Sequence, residues 1–326
     1  MSKNKNLHKA KKEKNDEFYT LLSDIEKEMV WYKDFFKDKV VYCNCDDARE
    51  SNFFKYFSEN FELLGLKKLI TTGYIPGGHG VVLEYSGDKN GDFIVSDDEI
   101  LTQELAGDGD FRSPECIEFL KQADVVVTNP PFSLFREYIA QLFQYNKKFI
   151  IIGNMNAITY KEIFPLIKDN KVWWGCSTSG SARNVWFMCK DDYKPDIKND
   201  NYKEEDGIKY RRVQGIEWYT NIDHKKRHDK LDLCKKYNST DYPTYNNYSA
   251  INVDKVSDIP EDYFDVMGVP ITFLDKYCPE QFEIVGMSSS AGYNKDIVGI
   301  PLLKSGDARP LIGGKNTYAR ILIKRK

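Results

Sequence analysis

The sequence predicts an α/β protein built on a doubly wound, mostly parallel sheet, followed by a C-terminal region of different texture. Three observations predict it. Residues 124–128 (Asp-Val-Val-Val-Thr) and 149–152 (Phe-Ile-Ile-Ile) are near-continuous apolar runs, and between them Phe135, Tyr138, Ile139, Leu142 and Phe143 recur at helical spacing. Two strands buried on both faces and joined by an amphipathic helix make a parallel βαβ crossover. The chain has 326 residues, more than one core usually holds. Beyond Lys190 the composition shifts to Asp, Asn, Lys and Tyr, with prolines at 195, 243, 260 and 270. The expected organisation is therefore a basic arm over residues 1–15, an α/β domain over 16–190 and a second region over 191–326.

Taken in order, the arm carries Lys3, Lys5, Lys9, Lys11, Lys12 and Lys14, with too few apolar side chains to offset the entropy of ordering. Leu21, Leu22, Ile25, Met29 and Tyr32 then recur three and four apart, as in a helix. Residues 39–46 read as a buried strand ending in Asp46 and Asp47. Ser51 or Asn52 can cap the next helix, which carries Phe53, Phe54, Tyr56, Phe57 and Phe61 and stops at Gly65. Residues 67–74 read as a second strand, and 77–94 as a hairpin-like excursion with turn signals at Ser86-Gly87 and Asn90-Gly91. Helix 114–122 leads into the crossover. Residues 158–167 read as a further helix, and 172–174 and 185–188 as further strands of the same sheet. At the C-terminus, residues 309–323 are two strand-like runs about Gly313-Gly314, the pattern of a β-hairpin.

Bulk properties narrow the function classes. Hydrophobic residues make up 41% of the chain and aromatics 14%, enough for a packed interior. No apolar run approaches the roughly 18–20 residues of a membrane span, and no apolar segment follows the N-terminal lysines, so the expected location is cytoplasmic. The seven cysteines include no Cys-x-x-Cys pair, which argues for reduced thiols and against a metal site. Net charge is -3, but the signs are segregated: nine acids and one lysine between Glu84 and Asp110, against nine basic and four acidic residues between Lys209 and Lys236. Only the second region can accept phosphates.

Asn129-Pro130-Pro131-Phe132 stands at the carboxyl end of a predicted parallel strand, where open sheets bind ligands. A residue before proline is pushed into extended conformations, so Asn129 and Pro130 form a stiff turn. Such a turn can aim two acceptors, the Asn129 side-chain oxygen and the Pro130 carbonyl, at the two N–H groups of a planar amine. Those contacts stabilise the positive charge that develops on nitrogen as it attacks a methyl sulfonium. Phe132 adds a flat apolar face for stacking. The same tetrapeptide also serves as plain turn punctuation, and by itself it does not distinguish adenine from other planar amines or amides.

Five segments carry a wider likeness: residues 16–20 (Asp-Glu-Phe-Tyr-Thr), 40–47 (Val-Val-Tyr-Cys-Asn-Cys-Asp-Asp), 107–113 (Gly-Asp-Gly-Asp-Phe-Arg-Ser), 129–138 and 268–275 (Gly-Val-Pro-Ile-Thr-Phe-Leu-Asp). Together they resemble the EcoRI-type family of adenine-specific DNA methyltransferases along nearly the whole chain. The resemblance implies a Rossmann-like domain that uses S-adenosyl-L-methionine (AdoMet) to methylate the N6 amine of a flipped-out adenine. Carried over by position, it places Phe18, Tyr19 and Thr20 beside the methionine moiety of the cofactor and Asp46 facing it. It sets Asp110 and Phe111 on the cofactor's adenine, and Asn129, Pro130, Pro131 and Phe132 at the reacting amine. Two departures stand out. The first strand lacks a Gly-rich turn, and the second lacks an acidic residue for the ribose.

For double-stranded DNA, the best phosphate-binding candidates are Arg211, Arg212, His224, Lys225, Lys226, Arg227 and Lys230, interleaved with Trp218, Tyr219 and Tyr237. The resemblance implies a short palindromic site; a cognate restriction endonuclease in the same system, not held as a stable complex, is compatible with it, but the sequence does not reveal whether one exists. Two other functions fit the tetrapeptide or the basic region: methylation of RNA or a protein glutamine, and DNA binding by a domain that has lost catalysis. Intact Asn129 and Asp110 favour an enzyme.

Overall fold

A computed structural model describes residues 19–189, 201–288 and 309–326, so the basic arm lies outside the described residues. The chain divides into two compact units, one of Met1–Met155 with Gly175–Ile222 and one of Asn156–Trp174 with Asp223–Lys326.

The first unit is built on a large sheet. The strands of that sheet within this unit are β1 (Val40–Asp46), β2 (Lys68–Gly73), β3 (Val81–Tyr85), β4 (Ile100–Glu104), β5 (Val125–Thr128), β6 (Lys148–Asn154) and β7 (Ile216–Thr220), in the order β4-β3-β2-β1-β5-β6-β7. The centre is parallel, with β2 on β1, β1 on β5 and β5 on β6. Both flanks are antiparallel, so the sheet is mixed where a mostly parallel one was expected. At the β2–β3 pair the cause is loop length. Only residues 74–80 join β2 to β3, too few for the crossover that a parallel neighbour requires.

Sequence features set the helices. Ser51 caps Asn52–Glu59 by accepting from the Phe53 amide, and Ser113 caps Pro114–Gln122 by accepting from the Cys116 amide. Gly65, at φ 62°, ends Phe61–Leu64 in the left-handed region that glycine enters without penalty. Phe53, Phe57, Val41, Leu69, Val125, Ile150 and Trp218 belong to one buried core.

Three expectations change. Val185–Met188 lies outside the large sheet. It pairs with Tyr19–Thr20 and Ile208–Val213 in a four-stranded antiparallel sheet completed by Tyr202–Glu205. Its alternating burial marks a one-sided strand, unlike the doubly buried β5. The helix read over 158–167 shrinks to a 3-10 turn over Met155–Thr159 and a helix over Phe164–Lys168. Pro165 has no N–H and fits only a first turn. In the second unit, Gly313-Gly314 closes a short hairpin between Leu311–Ile312 and Lys315–Asn316. Arg320–Arg325 instead runs between Met267–Pro270 and Phe282–Ser288, because fully buried Ile321, Leu322 and Ile323 need cover on every side.

Candidate active site

The parallel strands deliver their carboxyl ends to one edge of the sheet: Asp46 from β1, Gly73 from β2, Thr128 from β5 and Asn154 from β6. Asn129 to Phe132 leave that edge directly. Thr128 and Pro130 are buried, while Asn129, Pro131 and Phe132 are partly exposed. Pro131 sits at φ -55° and ψ 123°, after which Phe132–Leu134 forms a 3-10 turn. Part of the Phe132 ring packs on the core, which holds the rest of its face in place.

A buried polar network underlies the tetrapeptide. The Thr128 hydroxyl donates to the backbone carbonyl of Asn44 on β1, and the Tyr138 hydroxyl donates to the Asn44 side-chain oxygen. Next to Asn44, Cys45 adopts φ 69° where β1 bulges. The turn that follows is closed by Asp47, whose Oδ1 accepts from the amides of Arg49 and Glu50 at 3.0 and 3.1 Å. This Asx turn stands where a Gly-rich turn was missed.

Glycines do act at this edge, but at the end of β2. Gly109, at φ +83°, is so close to Gly73 that an added Cβ would lie 2.1 Å from the Gly73 carbonyl oxygen. An added Cβ at Gly80 would lie 2.7 Å from the same oxygen and 2.8 Å from the Gly109 Cα. Backbone bonds from Ile75 N to Asp108 O and from Gly80 N to Gly107 O, both 2.8 Å, complete the contact. The segment bearing Asp110 and Phe111 is thereby fixed at the strand end.

Asp110 is gripped by Arg112, a residue the sequence reading did not single out. Arg112 donates Nε to Oδ1 at 2.9 Å and Nη2 to Oδ2 at 2.6 Å, and its amide reaches Oδ1 at 2.8 Å. These contacts hold the Asp110 carboxyl below the usual carboxylate range. Phe111 is buried, its ring edge-to-face with Tyr138 at 5.0 Å and its backbone carbonyl accepting from Gln141 at 3.1 Å.

Of the other expected cofactor residues, Phe18 lies outside the described residues, and only the backbone position of Asp46, at the end of β1, is described. Tyr19 and Thr20 form a short strand on Val185–Met188, and the Thr20 carbonyl accepts from Asn52 Nδ2 at 2.7 Å. Thr20 Oγ1 and Thr71 Oγ1, the latter on β2, are buried with no hydrogen-bond partner among the described residues. A buried hydroxyl left unpaired costs free energy, so either atom can take a polar partner. Among the described residues, no group of His, Cys, Asp and Glu is placed to hold a metal ion. No described helix is long and apolar enough to cross a membrane.

The basic candidates separate. Arg211 and Arg212 lie on Ile208–Val213 in the first unit, where side-chain alternation sends them to opposite faces. The other five lie in the second unit. His224 is buried with Nε2 3.1 Å from the Trp174 carbonyl, and burial pushes its pKa down. Arg227 packs its guanidinium 4.0 Å from the centre of the Trp173 ring and donates to Asn170 Oδ1 at 2.9 Å. Lys225 and Lys230 are exposed and Lys226 partly so. The lysines therefore keep surface open to solvent, while His224 and Arg227 are packed within their own unit.

Comparison with known proteins gives a consistent result. The sequence matches the family described as adenine-specific methyltransferase EcoRI over residues 6–326. It is 48% identical to the type II methyltransferase M.EcoRI of Escherichia coli, across 99% of this chain and 97% of that protein. It is 38% identical to the type II methyltransferase M.MpnI of Mycoplasma pneumoniae, across 98% of each. It is 37% identical to M.MgeORF184P of Mycoplasma genitalium, again across 98% of each.

Proposed function

The chain belongs to the EcoRI family of adenine-specific DNA methyltransferases, type II enzymes of the restriction-modification kind, and on that premise we propose how its residues perform the transfer. The methyl donor is AdoMet and the acceptor is the N6 amine of an adenine flipped out of duplex DNA, since an amine inside the helix cannot reach the sheet edge. AdoMet, when bound, supplies a methyl group made electrophilic by its sulfonium. Thr20, Asp110 and Phe111 would hold it. Arg112 keeps Asp110 ionised and in place to accept from an adenine amine or ribose hydroxyl, and the glycine contact at β2 holds that segment.

Asn129 Oδ1 and the Pro130 carbonyl accept the two N–H groups of the target amine. They orient its lone pair and stabilise the charge that grows on nitrogen as it is alkylated. Phe132 stacks on the extruded base. The observation that carries this reading is the position of Asn129, which leaves the central parallel strand at the edge where β1 and β2 also end. The mixed sheet is then the Rossmann-like core, and the chain beyond residue 190 carries target recognition. Lys225, Lys226 and Lys230 contact phosphates there. A cognate endonuclease would share the site in the cytoplasm without binding the enzyme stably.

The test is methyl transfer from labelled AdoMet to unmethylated duplex DNA. Asn129→Ala is expected to lose nearly all transfer while retaining AdoMet and DNA binding, because its contacts strengthen in the transition state. Undiminished transfer would remove Asn129 from the mechanism.

A further inference from the structure

We propose that Tyr138 and Thr128 are positioning residues for methyl transfer: their hydroxyls converge on Asn44 and set the spacing between the strand end presenting Asn129 and the segment carrying Asp110 and Phe111. This rests on the reading of Asn129 and of Asp110-Phe111 given above, and adds residues that touch neither substrate.

The need for such a device follows from the sheet. The β1–β5 pairing runs through Val41 with Val125 and Tyr42 with Val126. Past those pairs β1 bulges between Cys43 and Asp46, and Cys45 takes φ 69°. The backbone register therefore changes just before the site. Side chains bridge the gap. Thr128, the last residue of β5 and the neighbour of Asn129, donates its hydroxyl to the Asn44 carbonyl. Tyr138 donates its hydroxyl to the Asn44 side chain. All three are buried, Asn44 at 3% exposure and the other two at 0%.

Tyr138 also reaches the other half of the site. It sits on helix Phe135–Gln144, one turn past the tetrapeptide, and its ring meets Phe111 edge-to-face at 5.0 Å. From the same helix Gln141 binds the Phe111 carbonyl. Asn44 itself is adjacent to the β1 terminus through Cys45, whose thiol lies 3.4 Å from Asn44 Oδ1. One tyrosine thus links the acceptor side, the first strand and the donor side. A parallel link between the strands, the Tyr42 hydroxyl with Thr72 Oγ1 at 2.8 Å, ties β1 to β2 but reaches neither Asn129 nor Phe111.

Burial alone would be met by Phe at 138 and Val at 128. The hydroxyls add direction, and direction matters for group transfer. A misplacement of about 1 Å between reacting groups can cost about a hundredfold in rate, while leaving ground-state binding intact.

The experiment measures the single-turnover rate of methyl transfer to unmethylated duplex DNA, with AdoMet and DNA affinities measured separately, for Tyr138→Phe, Thr128→Val, Thr128→Ser and Asn129→Ala. Tyr138→Phe and Thr128→Val are expected to slow transfer at least fivefold with both affinities within twofold of the parent. Thr128→Ser, which restores a hydroxyl, is expected to recover to within twofold. The inference is overturned if Tyr138→Phe and Thr128→Val transfer at the parental rate while Asn129→Ala is inactive, if the loss lies in AdoMet affinity alone, or if Thr128→Ser is as slow as Thr128→Val. Should Tyr138→Phe fail to fold, the Thr128 pair decides. A fully active Asn129→Ala would instead refute the catalytic reading on which this one stands.

Discussion

Arg112 closes on both oxygens of the Asp110 carboxylate, Nε to Oδ1 at 2.9 Å and Nη2 to Oδ2 at 2.6 Å, two residues away along the chain. The pair is planar-to-planar, a geometry lysine cannot reproduce. Asp110 keeps about a quarter of its side-chain surface and Arg112 nearly half, so the pair contributes little to stability. Its expected effect is on ligand placement. Arg112→Ala is predicted to weaken AdoMet binding by about tenfold, equivalent to about 1.4 kcal/mol, and Arg112→Lys by nearly as much. Titration calorimetry with AdoMet checks both. Because the Asp110 carboxyl is held low, binding by the parent enzyme should vary little between pH 5 and 8. An Arg112→Ala affinity within twofold of the parent would detach Asp110 from the cofactor.

Thr20 supplies a cleaner contrast. Its hydroxyl is buried and without a partner among the described residues, so in the absence of ligand Thr20→Val removes a destabilising polar atom and keeps the branched shape. The unfolding midpoint of the ligand-free protein should stay the same or rise. With AdoMet the sign reverses: losing one net hydrogen bond of about 0.5–1.5 kcal/mol should lower affinity about two- to tenfold. A variant that is less stable without ligand and binds AdoMet normally would make Thr20 a packing residue only.

How much of this was legible in the sequence depends on how local each signal is. The crossover from β5 to β6 was readable because its apolar runs and helical spacing are all contained within about thirty residues. The partner of Val185–Met188 was not, because alternation marks a strand but says nothing about which strand lies beside it. The place of the tetrapeptide at a strand end was readable from the apolar run that precedes it. Arg112 was not, since its role depends on where Asp110 comes to rest. Nor was Thr20's hydroxyl, which is buried without a partner among the described residues only once its strand lies on Val185–Met188 beside Asn52. Arg227 shows the converse, a charge that looks like a phosphate contact in sequence and whose guanidinium stacks on Trp173 in the fold.

That distinction among basic residues predicts different outcomes from substitutions that look alike. Lys225 and Lys230 are exposed. If they meet phosphates, each change to Ala should weaken DNA binding across sequences and reduce the slope of log affinity against log salt by about 1, with no change in the unfolding midpoint. Arg227 is only 11% exposed, stacked on Trp173 and bonded to Asn170. Arg227→Ala should instead destabilise by about 1–3 kcal/mol and leave the salt slope nearly intact. Fluorescence anisotropy over a salt series, paired with thermal unfolding, separates the two. A salt slope lowered by Arg227→Ala alone would reverse the assignment.

His228, next in the chain, makes the basic segment sensitive to pH. Its Nε2 lies 2.8 Å from Asp223 Oδ2 and its Nδ1 2.9 Å from Glu280 Oε1. The hydrogen bonds to Asp223 and then Glu280 raise its pKa above the ordinary histidine value. Glu280 is held at about 2, first by the Cys278 thiol, then by its own backbone amide and then by His228. Asp223 is pushed up by burial but brought below the carboxylate range by His228 and Arg227. A histidine with a raised folded pKa contributes its full stabilisation below its unfolded pKa, and loses it as pH rises through the folded value. Both carboxylates remain charged far below that window. His228→Gln should therefore lower the unfolding midpoint at pH 6 by about 1–2 °C, the small effect expected of an exposed pair, and by less at pH 8.5. An equal loss at both pH values would mean that His228 contributes by packing and neutral hydrogen bonds, with its charge playing no part.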